Sequence, residues 1–114
     1  MSDQRQILGG FEPIVLMAAL RLRGNGYGVT IRQTIEDITG RKTSFGAVYT
    51  TLDRLEEKGF VRSRQGEPTA ERGGRAKTYF EVTGEGISAL QEMKQVNARM
   101  LEGVELQGGL AWEL

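Results

Sequence analysis

A chain of 114 residues with 15 basic and 15 acidic side chains has room for one compact domain with a modest core. It contains no cysteine and no histidine, which excludes a disulfide framework, thiolate chemistry, and the commonest general base and metal ligand. Its longest apolar run, residues 14–20, falls far short of the ~20 residues that cross a bilayer, and the opening MSDQRQ lacks the pattern of a secretory signal, so a cytoplasmic protein without membrane contact is expected.

The first predicted element is a helix starting near Phe11, after Gly9 and Gly10. Pro13 is tolerated there because a missing amide costs nothing in the first turn. Phe11, Ile14, Val15, Leu16, Met17, Ala18, Ala19, Leu20 and Leu22 cover nearly every side of it. A helix apolar all round is buried all round. Either it is the central helix of a monomer, or one face meets its own core and the other meets a second copy. The turn-rich stretch RGNGYG follows. The spacing of Ile31, Ile35 and Ile38 then predicts a helix from about residue 29 to 39, stopped by Gly40.

The next helix has Ser44 as its N-cap and Val48, Leu52 and Leu55 on its apolar face. Gly59 ends it, with Phe60 placed to pack back on Leu55. Gly46, Thr50 and, at the edge, Tyr49 form the opposite face: small or hydrogen-bonding groups suited to a groove. Two short helices, a brief connection and a shared apolar face make a helix-turn-helix unit, with this second helix as the recognition helix.

Residues 60–65 and 76–82 alternate as the strands of a hairpin around the turn-rich GEPTAERGGR. Val61 is expected to face the core, with Arg62 and Arg64 on the other face beside Phe60. Thr78, Phe80 and Val82 share one face of the second strand, and Lys77, Tyr79 and Glu81 the other. A hairpin after a recognition helix reads as the wing of a winged helix; in isolation it would read as an ordinary solvated loop. Thr83 caps a last helix on which Leu90, Met93, Asn97, Met100 and Val104 recur at heptad spacing. That seam either pairs with a second copy or packs on the rest of the domain. The organisation expected is a winged helix-turn-helix domain over 1–84, a C-terminal dimerisation helix over 85–106 and a flexible tail over 107–114, with Trp112 in the tail.

Charge is uneven although it sums to zero. Residues 41–77 hold nine basic against five acidic side chains, leaving that segment +4 and the remainder −4. A basic middle on an acidic frame binds phosphate on one face and repels it elsewhere. Lys42, Arg62, Arg64, Arg72, Arg75 and Lys77 are the expected phosphate or minor-groove contacts, and Gly73 and Gly74 allow close approach to a sugar-phosphate backbone. Thr43, Ser44, Gly46, Tyr49 and Thr50 sit where base edges are read, although Tyr49 is alternatively a structural bridge from helix to backbone. Asp53 and Glu57 share the exposed face further along, so only the first turns can penetrate deeply.

The residues resemble the PadR family of bacterial and archaeal transcriptional regulators, and most of all its short subfamily. The resemblance spans about residues 8–90. It is carried by GFEPIVLMAAL, by YGVTI, by GAVYTTLDRLEEKGFV and by GGRAKTYFEVT with the following Glu85 and Gly86. The family usually has leucine before the tyrosine of the recognition helix and proline after it; here these are Val48 and Thr50. The resemblance implies a mainly α fold with a small β-hairpin (α+β), a winged helix-turn-helix with N-terminal and C-terminal dimerisation helices. It implies a homodimer, usually a repressor, on double-stranded DNA with an inverted-repeat operator, the recognition helices about 34 Å apart. Dimer contacts are expected from Phe11, Val15, Leu90, Met93, Asn97, Met100 and Val104. Some members release DNA on binding a small apolar or aromatic effector. The alternative is a winged helix used only for protein contact, without DNA binding. No enzyme activity, cofactor or metal is expected: GNGYG has neither the leading strand nor the spacing of a dinucleotide fingerprint, and no GK[ST] follows the wing glycines.

Overall fold

The computed structural model describes residues 8–67 and 77–106. Six elements follow one another: α1 Glu12–Arg21, α2 Gly28–Thr39, α3 Phe45–Glu57, β1 Val61–Gln65, β2 Thr78–Val82 and α4 Gly84–Leu101. This is a mainly α chain with one antiparallel hairpin, an α+β fold. Helices α1, α2 and α3 pack around Val15, Leu16, Ala19, Ile31, Val48, Leu52 and Leu55, none of which reaches solvent. The hairpin closes the core with Phe60, Val61 and Phe80.

Local chemistry sets the boundaries. Gly40 ends α2 at φ +74, where its N–H donates to the Glu36 carbonyl at 2.9 Å. Gly59, at φ +82, turns the chain after α3 so that the Phe60 N–H donates back to Leu55 at 2.9 Å. That turn corrects the expected strand parity. Phe60 precedes β1 and folds into the core, so Phe60 and Val61 are both buried and Phe60 does not share a face with the arginines. The hairpin register pairs Arg62 with Glu81, Ser63 with Phe80 and Arg64 with Tyr79. A single bridge ties the loop before α2 to it, since the Phe80 N–H donates to the Gly26 carbonyl at 2.9 Å.

Helix α1 is neither wholly inward nor evenly shared. Val15, Leu16, Ala18 and Ala19 point into the protomer, while Ile14, Met17 and Leu20 form a stripe at three-residue spacing, each about 40% exposed. Val15 is therefore used up inside the protomer core and is not available to a second copy. Phe11 caps the helix start and packs against the same core. The open apolar face belongs to Ile14, Met17 and Leu20 instead.

Helix α4 is anchored only at its start. Thr83 Oγ1 accepts the Gly86 N–H at 3.1 Å and donates to the Gly59 carbonyl at 2.7 Å. Gly86 is buried, and a Cβ there would collide with the Phe60 carbonyl oxygen. Ala89 and Leu90 reach the core, whereas from Gln91 to Leu101 every residue except Met93 is exposed. The helix ends at Leu101, and Gly103 at φ +81 turns the chain. Val104 therefore lies beyond the helix, and the heptad seam stops one position earlier than the spacing suggested. The tail at 107–114, with Trp112, lies outside the described residues.

Candidate nucleic-acid interface

Helix α3 starts where it does because Ser44 is extended and its Oγ accepts the Ala47 N–H at 3.0 Å. Val48, Thr51, Leu52 and Leu55 then face inward. The buried Thr51 hydroxyl is satisfied by the Ala47 carbonyl at 2.7 Å. Gly46, Tyr49 and Thr50 are left on the open side, with Lys42 and Ser44 exposed just ahead of them and Thr43 half-buried. Among the described residues nothing needs Gly46 to be small, since a Cβ built on it meets only Ser44 Oγ, at 3.9 Å. Thr43, Gly46, Ala47 and Thr50 line one wall of an open groove beside α3, with Phe11 and Arg54 also in its lining.

The helix is braced from α2. Glu36 Oε2 accepts the Thr43 N–H at 2.8 Å, and Arg32 Nε donates to the Thr43 carbonyl at 2.6 Å. Arg32 also lies 3.4 Å from Glu36 and places its guanidinium 4.3 Å from the centroid of the Phe45 ring. Phe45 in turn stacks on Tyr49, with centroids 6.4 Å apart. The hydroxyl end of Tyr49 rests on Gly28, where a Cβ would have no space. Tyr49 packs on the backbone of α2 there and remains 44% exposed.

The far end of α3 is tied to α1. Glu12 is buried and its Oε1 accepts from Lys58 Nζ at 2.8 Å and from the Gly9 N–H at 2.9 Å. Burial pushes the Glu12 carboxyl up. The Lys58 and Gly9 hydrogen bonds, with the charges of Lys58 and Arg54, outweigh it and hold the group below its ordinary value.

On the hairpin the arginines differ. Arg62 faces Glu81, with Nε 3.7 Å from the carboxylate. Arg64 faces Tyr79: its guanidinium lies 4.8 Å from the ring centroid and its Nη2 donates to the Gly24 carbonyl at 2.9 Å. Lys77 Nζ sits 4.5 Å from the Tyr27 ring centroid. Among the described residues neither Arg64 nor Lys77 has a carboxylate at ion-pair distance. Arg72, Gly73, Gly74 and Arg75, the expected wing tip, lie outside the described residues. Phe45, Tyr27 and Tyr79 are not among the residues expected from the sequence to form the site. Phe45 had a local signal, an aromatic residue directly after the cap and off the apolar face. The tyrosines had none, because their partners are distant in the chain.

Two helices joined by a five-residue turn, the second capped and open at its start, and a hairpin behind it define a winged helix-turn-helix protein. The chain belongs to the transcriptional regulator PadR-like family, whose model matches residues 16–92. The members of that family are transcriptional regulators and not enzymes. Among solved structures, the chain is similar to a PadR family transcription regulator from Clostridium difficile, at 25% identity and TM-score 0.63, over 86% of this chain and 97% of that one. A PadR family regulator from Eggerthella lenta is 24% identical, TM-score 0.63, over 80% and 77% of the two chains. RosR of H. salinarum is 22% identical, TM-score 0.64, over 87% and 81%. These last two likenesses are of fold. No match is found among curated proteins.

Proposed function

We propose that this regulator is a homodimeric, cytoplasmic repressor that binds an inverted-repeat operator in double-stranded DNA. The observation that carries the reading is the open start of α3, where Gly46, Tyr49 and Thr50 face outward and Gly46 has space that none of the described residues uses. Thr43, Ser44, Gly46, Tyr49 and Thr50 meet base edges in the major groove. Lys42, Arg62, Arg64 and Lys77 meet phosphates, joined by Arg72, Arg75 and the Gly73-Gly74 backbone of the wing tip. The second copy covers the Ile14, Met17 and Leu20 stripe of α1, apolar and open in one protomer, and the Leu90, Met93, Asn97 and Met100 side of α4, of which Asn97 and Met100 are exposed and Leu90 and Met93 half-buried. A repressor seated this way blocks a promoter by occupying it. A small apolar effector fits the groove between α1 and α2, lined by Ile14, Met17, Ala18, Ile35 and Ile38, where that second copy also docks.

The test is binding to genomic fragments from low to moderate salt, followed by footprinting. A protected inverted repeat, with affinity falling steeply as salt rises, is expected. No binding to any fragment at low salt would instead favour the reading as a protein-contact subunit. Sedimentation at micromolar concentration checks the dimer.

A further inference from the structure

Between α3 and the hairpin runs a strip of aromatic rings that the sequence did not assign. Tyr49 rests on Gly28, one residue from Tyr27. The Tyr27 and Tyr79 rings meet edge to face, with centroids 5.6 Å apart and planes at 81°. Lys77 lies over the Tyr27 ring with its Nζ 3.4 Å from the Tyr27 hydroxyl, and Arg64 lies over Tyr79. Gly66 clears the space, since a Cβ there would press into the Tyr79 ring.

We propose that Tyr27 and Tyr79 are positioning residues of a phosphodiester platform, holding Lys77 and Arg64 ready for one DNA phosphate between the recognition helix and the wing. This rests on the DNA-binding reading above and adds a site to it. The argument is electrostatic. A cation held by a buried carboxylate is neutralised, as Lys58 is beside Glu12. A cation held by a ring face is fixed in place and keeps its charge for another anion. In the antiparallel register Arg64 is the diagonal neighbour of Glu81, within reach of a long side chain. Tyr79 gives Arg64 a resting place other than that carboxylate. The Tyr27 hydroxyl, beside Lys77, adds a neutral donor at the same spot.

The test is a salt series on the full chain with a short mixed-sequence DNA duplex, so that no operator need be known. Tyr79→Leu leaves Arg64 to pair with Glu81. It is expected to weaken binding about tenfold at low salt and to lower the slope of log affinity against log salt by about one unit. Tyr79→Phe keeps the ring and restores the slope. Arg64→Gln lowers the slope by the same unit, and Arg64→Gln with Tyr79→Leu lowers it no further. A purely structural tyrosine would instead lower thermal stability and leave the slope unchanged, because every charge is still present. If Tyr79→Leu does not fold, the cycle of Tyr27→Leu with Lys77→Gln gives the same reading from the other pair. Wild-type binding with slopes untouched by both tyrosines overturns the platform alone. Wild-type protein that shows no salt-dependent binding overturns the DNA-binding reading, and the platform falls with it.

Discussion

Gly46→Ala separates what the protomer needs from what DNA needs. The residue is the second of α3, and its added methyl would meet only Ser44 Oγ at 3.9 Å, an ordinary contact. Replacing glycine by alanine inside a helix is worth about 0.5–1 kcal/mol, from backbone entropy alone. In a domain of this size that raises the melting temperature by roughly 2–8 °C. The same methyl stands on the face proposed above to enter the groove, where extra volume in a close contact costs about 1–3 kcal/mol. That is a roughly five- to 150-fold weaker Kd. Thermal melts followed by circular dichroism, and fluorescence anisotropy on the footprinted operator, measure the two quantities on one sample. A more stable protein that binds DNA more weakly is expected. A more stable protein with unchanged affinity would refute the close approach of Gly46 to DNA, and a less stable one would refute the open space around it.

Gly86→Ala is the opposite case: its methyl would meet the Phe60 carbonyl, so stability should fall by about 2–3 kcal/mol, read as a lower melting temperature. Glu12→Gln should cost about 2–3 kcal/mol at neutral pH by leaving Lys58 without its buried carboxylate. The folded Glu12 carboxyl titrates below its ordinary value of 4.5, so its contribution is complete above that pH and is lost as pH falls through the folded value. Denaturant melts from neutral to acid pH should therefore lose part of their acid-side slope in the glutamine variant. Met17→Asp should leave the protomer folded, because the side chain is 40% exposed, and should shift sedimentation from dimer to monomer.

Features set by neighbours in the chain could be read in advance. Ser44, Gly40, Gly59 and Thr83 act within a few residues of themselves, and each does what its chemistry suggested. Where the reading failed, the missing information was one of phase or of distance. Helix α1 is apolar on nearly every side, and such a helix has no sequence signal for which side turns inward, so Val15, expected among the dimer contacts, lies in the protomer core instead. Phe60 was assigned strand parity one residue before the strand begins, because the Gly59 turn hides where the alternation starts. Val104 kept the heptad count, but Gly103 two positions after the last helical residue ends the helix first. The braces of α3 were not legible at all. Arg32 reaches Thr43 across 11 residues and Lys58 reaches Glu12 across 46.

Those distant contacts share one arrangement. Arg32 and Glu36 hold the start of α3, Tyr49 holds its flank against Gly28, and Lys58 holds its end. The outward face carries none of them: among the described residues, Thr50, Asp53 and Glu57 make no side-chain hydrogen bond or ion pair. The helix is thus fixed from behind and from both ends, and a partner that meets its face need not first order it, which lowers the entropy lost on binding. The tie at the far end is made to α1, the helix whose other side carries the open Ile14, Met17 and Leu20 stripe. In the dimer proposed above, a shift of α1 would reach the C-terminal end of α3 through Glu12 and Lys58. The braces from α2 hold its start, so the helix would tilt about its own N-terminus rather than slide. A tilt of that kind spares the contacts of Ser44 and Gly46 and carries Thr50 the furthest of the three.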